Sequence, residues 1–436
     1  MVHDAQLILV VGAVLAAGVA AAGVASRLRL PALVLFAGLG MLVGSDGLGW
    51  IGFDDYRLAR LIGTTALVLI LFEGGLAAGW RQLRAVLRPA LQLAVIGTVL
   101  TAAIVGLCAA ALFDFSLLEG LLLGAILAAT DGAAVFALLR GIRLPVRLRR
   151  TLEGESGLND PVAVLLVLVA IDLITKPHYG AGSAIVFLVR ELALGVGVGL
   201  VGGVAAARAI GHAHRLPNGL VLVASLAAPA LAYGIAGTLG GSGFVSVYLV
   251  GLALGDAPVV AREPVVAFHR GLAMVAEIGM FFALGLLVFP SQFGPVAVKA
   301  LLLALITALV ARPIAAALAT LRQGFALCER VLLAAAGLRG AVPVILATFA
   351  VIENVPRSVE LLNIVFFAVL VSAAVQGPTV HSLAARIRTR EHAGSPASGS
   401  RREIADMAGS VAPRSQAAVG GQGVRLEVVD AGQHRE

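Results

Sequence analysis

Runs of about twenty apolar residues, following one another from position 5 to about position 384, leave this chain few folds to choose from. A run of that length is what a helix needs to cross a hydrocarbon core. Thirteen can be marked, near residues 5–25, 31–48, 58–79, 88–113, 117–139, 152–175, 183–207, 217–239, 242–256, 266–289, 294–320, 327–352 and 358–384. Of the 436 residues, 59% are hydrophobic and 13% charged, whereas a soluble domain carries about a quarter charged residues. Lipid must be the solvent. The expected fold class is therefore an all-α polytopic membrane protein of about thirteen transmembrane helices over residues 1–385. Beyond about Arg390 the sequence turns to Ser, Gly, Ala and charged residues without periodicity, so 386–436 is expected to be a short disordered cytoplasmic tail.

The net charge of +7 does not point to nucleic acid, because the arginines cluster briefly between apolar runs without aromatic interleaving. They read as topology signals instead. Arg27 and Arg29, Arg81 to Arg88, Arg140 to Arg150, Arg208 and Arg215, Arg262 and Arg270, Arg322 and Arg330, and Arg386 to Arg390 fall in alternate loops. The opposite loops are poor in Lys and Arg and hold Asp46, Asp54, Asp55 and Glu119. This asymmetry predicts a multi-pass protein of the inner (plasma) membrane with its N-terminus outside and its C-terminus cytoplasmic. No basic leader precedes the first run, which reads as a membrane span. Cys108 and Cys328 lie in apolar segments without metal-ligand or disulfide spacing.

Ionisable groups inside spans cost roughly 3 kcal/mol each on insertion scales, so each one is a functional candidate. Glu73 lies in LILFEGGL, Asp131 in LAATDGAAVF, Glu155 and Asp160 in EGESGLNDPVAV, and Arg339 in AAGLRGAVPVIL. On a helix, Glu155 and Asn159 stack one turn apart, as do Ser156 and Asp160, so one face carries all the polar groups. Pro161 removes the backbone donor that would occupy the Gly157 carbonyl, leaving an oxygen beside Asp160. Small hard cations take carboxylate, hydroxyl and carbonyl oxygens.

Thr130-Asp131-Gly132 and Arg339-Gly340-Ala341-Val342-Pro343 are polar, Gly-containing breaks in the two halves of the chain. Corresponding broken spans point to a transporter built from inverted repeats, with two broken helices that cross. Each break would expose bare N–H groups at one half-helix end and bare carbonyls at the other. Asp131 is expected to neutralise the positive ends and Arg339 the negative ends, with Arg339 also a partner for Glu155. Asp160 and Glu73 are then the carboxylates left to titrate. Burial penalises a bare carboxylate, so a proton and a cation compete for one site, which must be filled by either to cross. Glu119, His269 and Glu277 also fall near or inside spans, but no spacing ties them to this cluster.

Together FEGGL (Phe72 to Leu76), the Thr130-Asp131 break, ESGLNDPVAV (Glu155 to Val164) and GLRGAVP (Gly337 to Pro343) resemble the NhaP-type sodium/proton and potassium/proton antiporters of the cation:proton antiporter superfamily. The likeness covers about residues 5–385. It implies a thirteen-helix fold with six-helix inverted repeats, a dimerisation domain and a mobile core, usually as a homodimer. It implies Asp160 as the ion and proton carboxylate with Asn159 beside it. Glu73, Thr130 and Ser156 would be supporting oxygen ligands for Na+ or K+, and Glu155 and Arg339 a structural ion pair. An Asn before the Asp is associated in this superfamily with electroneutral exchange. VGSDGLG (Val43 to Gly49) and GSGFVSVYLVGLALGD (Gly241 to Asp256) are especially similar to potassium/proton members. Those relatives often carry a cytoplasmic regulatory domain after the last span, for which the residues after 390 are too few. No cofactor, catalytic activity or nucleic-acid partner is expected; the partners are cations, protons and lipid.

Two other readings compete. Gly154-Glu155-Ser156-Gly157 matches the pattern of rhomboid-like intramembrane serine proteases, but these need a buried His base, and the eight His residues lie in loops, at span ends or in the tail. A passive cation channel would conduct without proton coupling.

Overall fold

The computed structural model describes residues 2–28, 32–131, 135, 142, 144–212, 217–257 and 262–394, and among them every regular element is a helix. In chain order these are α1 (Val2–Leu28), α2 (Ala32–Val43), α3 (Tyr56–Ala78), α4 (Leu87–Phe113), α5 (Leu117–Ala128), α6 (Val146–Thr175) and α7 (Ala181–Gly211). There follow α8 (Asn218–Thr238), α9 (Gly243–Asp256), α10 (Arg262–Leu286), α11 (Ala297–Ala319), α12 (Leu327–Ala335), α13 (Ala341–Ile352) and α14 (Ser358–Gly394). Nine of these described helices, all but α2, α5, α9, α12 and α13, are long and apolar enough to cross a membrane. The chain is thus an all-helical, multi-pass membrane protein. Residues 1–388 form one compact unit. Of the expected tail at 386–436, residues 395–436 lie outside the described residues.

Two helices run further than their apolar runs. α6 begins at Val146 and not near 152, because Pro145 precedes it in an extended conformation and Arg147, Leu148, Arg149 and Arg150 are good helix formers. α14 continues through Arg386, Arg388 and Arg390 to Gly394, so helix passes the expected boundary at 385. Helix ends at both polar interruptions that the sequence placed, and residues 132–134 and 136–139 of the expected 117–139 span lie outside the described residues. α5 stops at Ala128, and Ala129 is extended with φ −60° and ψ 139°. The run at 327–352 divides into α12 and α13, separated by residues 337–340 in non-helical backbone.

Close helix contact explains much of the glycine. α3 packs along α9 and α10, and α4 along α5. A Cβ on Gly251 of α9 would lie 2.6 Å from the Phe72 carbonyl oxygen of α3. A Cβ on Gly120 of α5 would lie 2.6 Å from the Gly106 carbonyl oxygen of α4. Small residues let the backbones meet, as membrane helix pairs require. Past the end of α3, the Arg81 N–H donates to Asp256 Oδ2 at 2.6 Å. This ties the short helix Trp80–Arg84, which follows α3, to the end of α9.

α4 and α11 each contain one π-helical turn, Gln92–Gly97 and Thr307–Ala311. Pro313 favours the second, since it lacks the N–H of a regular ladder. Each turn re-aims the residue that follows it. Those residues are Thr98 and Arg312, both fully buried and both directed at α6.

The α3–α9 approach gives a direct test. Gly251→Ala is expected to lower stability by about 1–3 kcal/mol through overpacking, read as a lower unfolding temperature of the detergent-solubilised protein. An unchanged temperature would show that the two backbones have room to part.

Candidate ion-binding site

The two helix breaks meet. The Asp131 N–H donates to the Leu338 carbonyl at 2.7 Å, and the Asp131 side chain lies against Gly340, where any Cβ would strike its carboxylate. Gly340 is the residue just before α13. Asp131 therefore sits at the positive end of that helix, where a carboxylate is stabilising. From the other side, Arg339 Nη1 donates to the carbonyls of Ala128 and Ala129, at 3.3 and 3.1 Å. These are carbonyls that the end of α5 leaves without helical partners. Arg339 is buried, and its charge faces these backbone dipoles while Glu155 stays within Coulombic reach.

α6 passes beside this junction. Asn159, fully buried, accepts the Thr130 N–H on Oδ1 at 2.9 Å and donates from Nδ2 to Thr98 Oγ1 and, at 3.5 Å, to the Ala128 carbonyl. One amide side chain thus locks α6 to both α4 and the α5 break. Its neighbour Asp160 is buried at 8% relative exposure, and its Oδ1 has no hydrogen-bond partner among the described residues. Asp131 lies within Coulombic reach of Asp160. Ser156 is half-buried one helical turn before Asp160, and Thr130 is buried at the break. A partly shielded carboxylate, a nearby hydroxyl and backbone carbonyls are the donor types that a small cation takes.

One expected partnership differs in the structure. Glu155 is buried and pairs with Arg312, not with Arg339. Arg339 spends its reach on the α5 carbonyls, whereas Arg312, turned inward after its π turn, packs against Gly337 and meets Glu155 directly. Glu73 retains 24% of its side-chain exposure, and its Oε1 lies 4.0 Å from Arg270 Nε. Its ionic contact is therefore with α10. Of the carboxylates set aside, Glu119 closes a capping box with Ser116 at the start of α5. Glu277 of α10 comes within Coulombic reach of Asp131. Buried His269 meets Ser225 Oγ at 2.9 Å through Nε2.

Sequence reasoning passed over Arg312, Thr98, Ser372 and Gln376. Arg312 was within reach, being a charge inside the apolar run 294–320, where the insertion cost already singles it out. Thr98, Ser372 and Gln376 carry no such signal, because single hydroxyls and amides are common in membrane helices.

An all-helical, multi-pass membrane protein whose ionisable residues gather at two helix breaks has the outline of a secondary transporter. Residues 13–386 match the family model described as sodium/hydrogen exchanger, transmembrane, and the chain belongs to that family. It is 40% identical over 378 residues to the K(+)/H(+) antiporter NhaP2 of Shewanella sp. (strain MR-4), covering 86% of this chain and 66% of that protein. It is 37% identical over 381 residues to the K(+)/H(+) antiporter NhaP of Alkalimonas amylolytica, with the same coverage. The chain thus spans just under two thirds of the length of these curated relatives. The solved structure of the sodium proton antiporter MjNhaP1 from Methanocaldococcus jannaschii at pH 8 superposes with a TM-score of 0.76 at 25% identity, covering 88% of this chain and 99% of that one.

Removing one partner of a buried ion pair strands the other, at about 3–5 kcal/mol. Arg312→Gln alone is expected to lower the unfolding temperature in detergent markedly. Glu155→Gln combined with Arg312→Gln is expected to recover most of the loss. Equal damage from the single and double variants would contradict the pairing.

Proposed function

We propose that this chain exchanges a monovalent alkali cation, K+ or Na+, for H+ across the inner membrane, with Asp160 as the carboxylate that both ions share. The observation that carries the reading is the buried Asp160 Oδ1, which has no hydrogen-bond partner among the described residues, beside an Asn159 amide that is hydrogen-bonded at both ends and a Glu155 that is paired with Arg312. A buried bare carboxylate is costly, so the site crosses holding either a cation or a proton. Thr130, Ser156 and Glu73 supply further oxygens. Glu73 would join the site by exchanging its 4.0 Å contact with Arg270 for the cation. Asn159 orients the site by holding α4, α5 and α6 together. Asp131, Arg339 and the Glu155–Arg312 pair stabilise the frame.

The printed names of the relatives, K(+)/H(+) antiporters among the curated proteins and a sodium proton antiporter among the solved structures, support this reading. In it all thirteen apolar segments cross the membrane, arranged as inverted repeats whose two broken helices cross at midplane. The N-terminus lies outside and the C-terminus inside, as the arginine-rich loops suggest. The chain works as a homodimer without cofactor or covalent catalysis, and exchange is electroneutral. Residues 1–385 carry transport, and 386–436 form the tail. The role in the cell is pH and cation homeostasis.

The test uses everted membrane vesicles acidified by respiration, with a fluorescent pH dye. K+ or Na+ added outside is expected to dequench the dye for wild type and to leave it quenched for Asp160→Asn, with equal protein in the membrane. Near-wild-type dequenching by Asp160→Asn would refute the site assignment. Cation flux without any proton movement would support a channel instead.

A further inference from the structure

The break between α12 and α13 is held from a third side, by α14. The Leu338–Arg339 peptide group is bonded at both ends. Its carbonyl accepts the Asp131 N–H at 2.7 Å, and its N–H donates to Ser372 Oγ at 3.0 Å. The Ser372 hydroxyl in turn donates to Gln376 Oε1, one turn further along α14. Ser372, Gln376 and Arg339 are all buried.

The direction of these bonds matters. A serine hydroxyl has one hydrogen and two lone pairs. With that hydrogen committed to Gln376, a lone pair is left facing the Arg339 N–H, and the serine serves there as an acceptor. A buried backbone N–H must find such an acceptor, and in the hydrocarbon region water is not at hand. From Arg339 the chain of contacts continues through the guanidinium to the Ala128 and Ala129 carbonyls, and from Leu338 to Asp131. Four segments thus meet at one junction: α14 and Asp131, just past α5, bond the Leu338–Arg339 peptide of the α12–α13 break, and α6 joins through Asn159 and the Ala128 carbonyl.

We infer that Ser372 and Gln376 are positioning residues for the exchange. They fix the Leu338–Arg339 peptide, and through it set Asp131 and the Arg339 guanidinium relative to Asp160. This rests on the exchange reading given above. The two residues touch neither ion, and their effect passes through Asp131, the charge within Coulombic reach of the shared carboxylate. Without the serine acceptor the peptide is free to rotate, Asp131 loses its fixed register, and the balance between proton and cation at Asp160 changes.

The experiment measures cation-driven dequenching in everted vesicles across cation concentration and pH, normalised to inserted protein, for wild type, Ser372→Ala, Ser372→Thr and Gln376→Leu. Ser372→Ala is expected to raise the half-saturating cation concentration about tenfold, since a small misplacement at a reacting centre costs that much or more, and to shift the pH profile. Ser372→Thr keeps the hydroxyl and is expected to restore both. Gln376→Leu frees the serine hydrogen and is expected to move both in the same direction as Ser372→Ala. A role limited to stability would reduce inserted protein while leaving half-saturation and pH profile unmoved, and that result overturns the inference. Should Ser372→Ala fail to insert, Gln376→Leu decides by the same two readouts. Absence of exchange by wild type itself would sink the underlying reading, whereas wild-type exchange with unaltered variants would sink only the positioning role.

Discussion

Two interrupted helices can meet in a membrane only if the backbone groups they expose are satisfied by one another. That constraint organises this structure. The Asp131 N–H takes the Leu338 carbonyl, the Arg339 guanidinium takes the Ala128 and Ala129 carbonyls, and the Asp131 carboxylate rests where α13 begins. Water, which would cap such ends in a soluble protein, is scarce in the hydrocarbon region of a membrane. Each break therefore supplies the cap of the other. Gly340 belongs to the same arrangement, because the Asp131 side chain fills the space a Cβ would need.

Around that junction the remaining charges are arranged so that one carboxylate is left over. Glu155 is matched by Arg312, and Glu73 lies near Arg270. Asn159 uses both ends of its amide to fasten the helix that carries Asp160. Asp160 Oδ1 alone among these buried acidic oxygens has no hydrogen-bond partner among the described residues. A buried pair such as Glu155–Arg312 adds little net stability compared with an apolar substitute. Its use here is to fix α6 against α11.

Much of this was legible in the sequence, and the reasons are physical. Apolar runs long enough to cross a bilayer marked where most of the helices lie, though α6 starts earlier and α14 ends later than its run, and the expense of charge in lipid singled out Glu73, Asp131, Glu155, Asp160 and Arg339. Gly and polar residues inside apolar runs located both breaks. Contacts set by three-dimensional aim were not legible. The π turns at Gln92–Gly97 and Thr307–Ala311 rotate Thr98 and Arg312 toward α6, and nothing in residue spacing announces a π turn. Hence the partner of Glu155 was misassigned, and Thr98, Ser372 and Gln376 went unnoticed. The early start of α6 was missed for a different reason: arginines extend a helix as readily as they end a membrane span.

The central claim is that a proton and an alkali cation occupy the same carboxylate in turn. It is tested most directly by adding K+ or Na+ to the purified, weakly buffered protein and recording proton release. Linked binding requires each ion to displace the other reciprocally. The account predicts about one proton released per cation bound, with release vanishing as pH rises above the range where the site is protonated and absent altogether in Asp160→Asn. Cation binding by the wild-type protein with no proton released at any pH would contradict it.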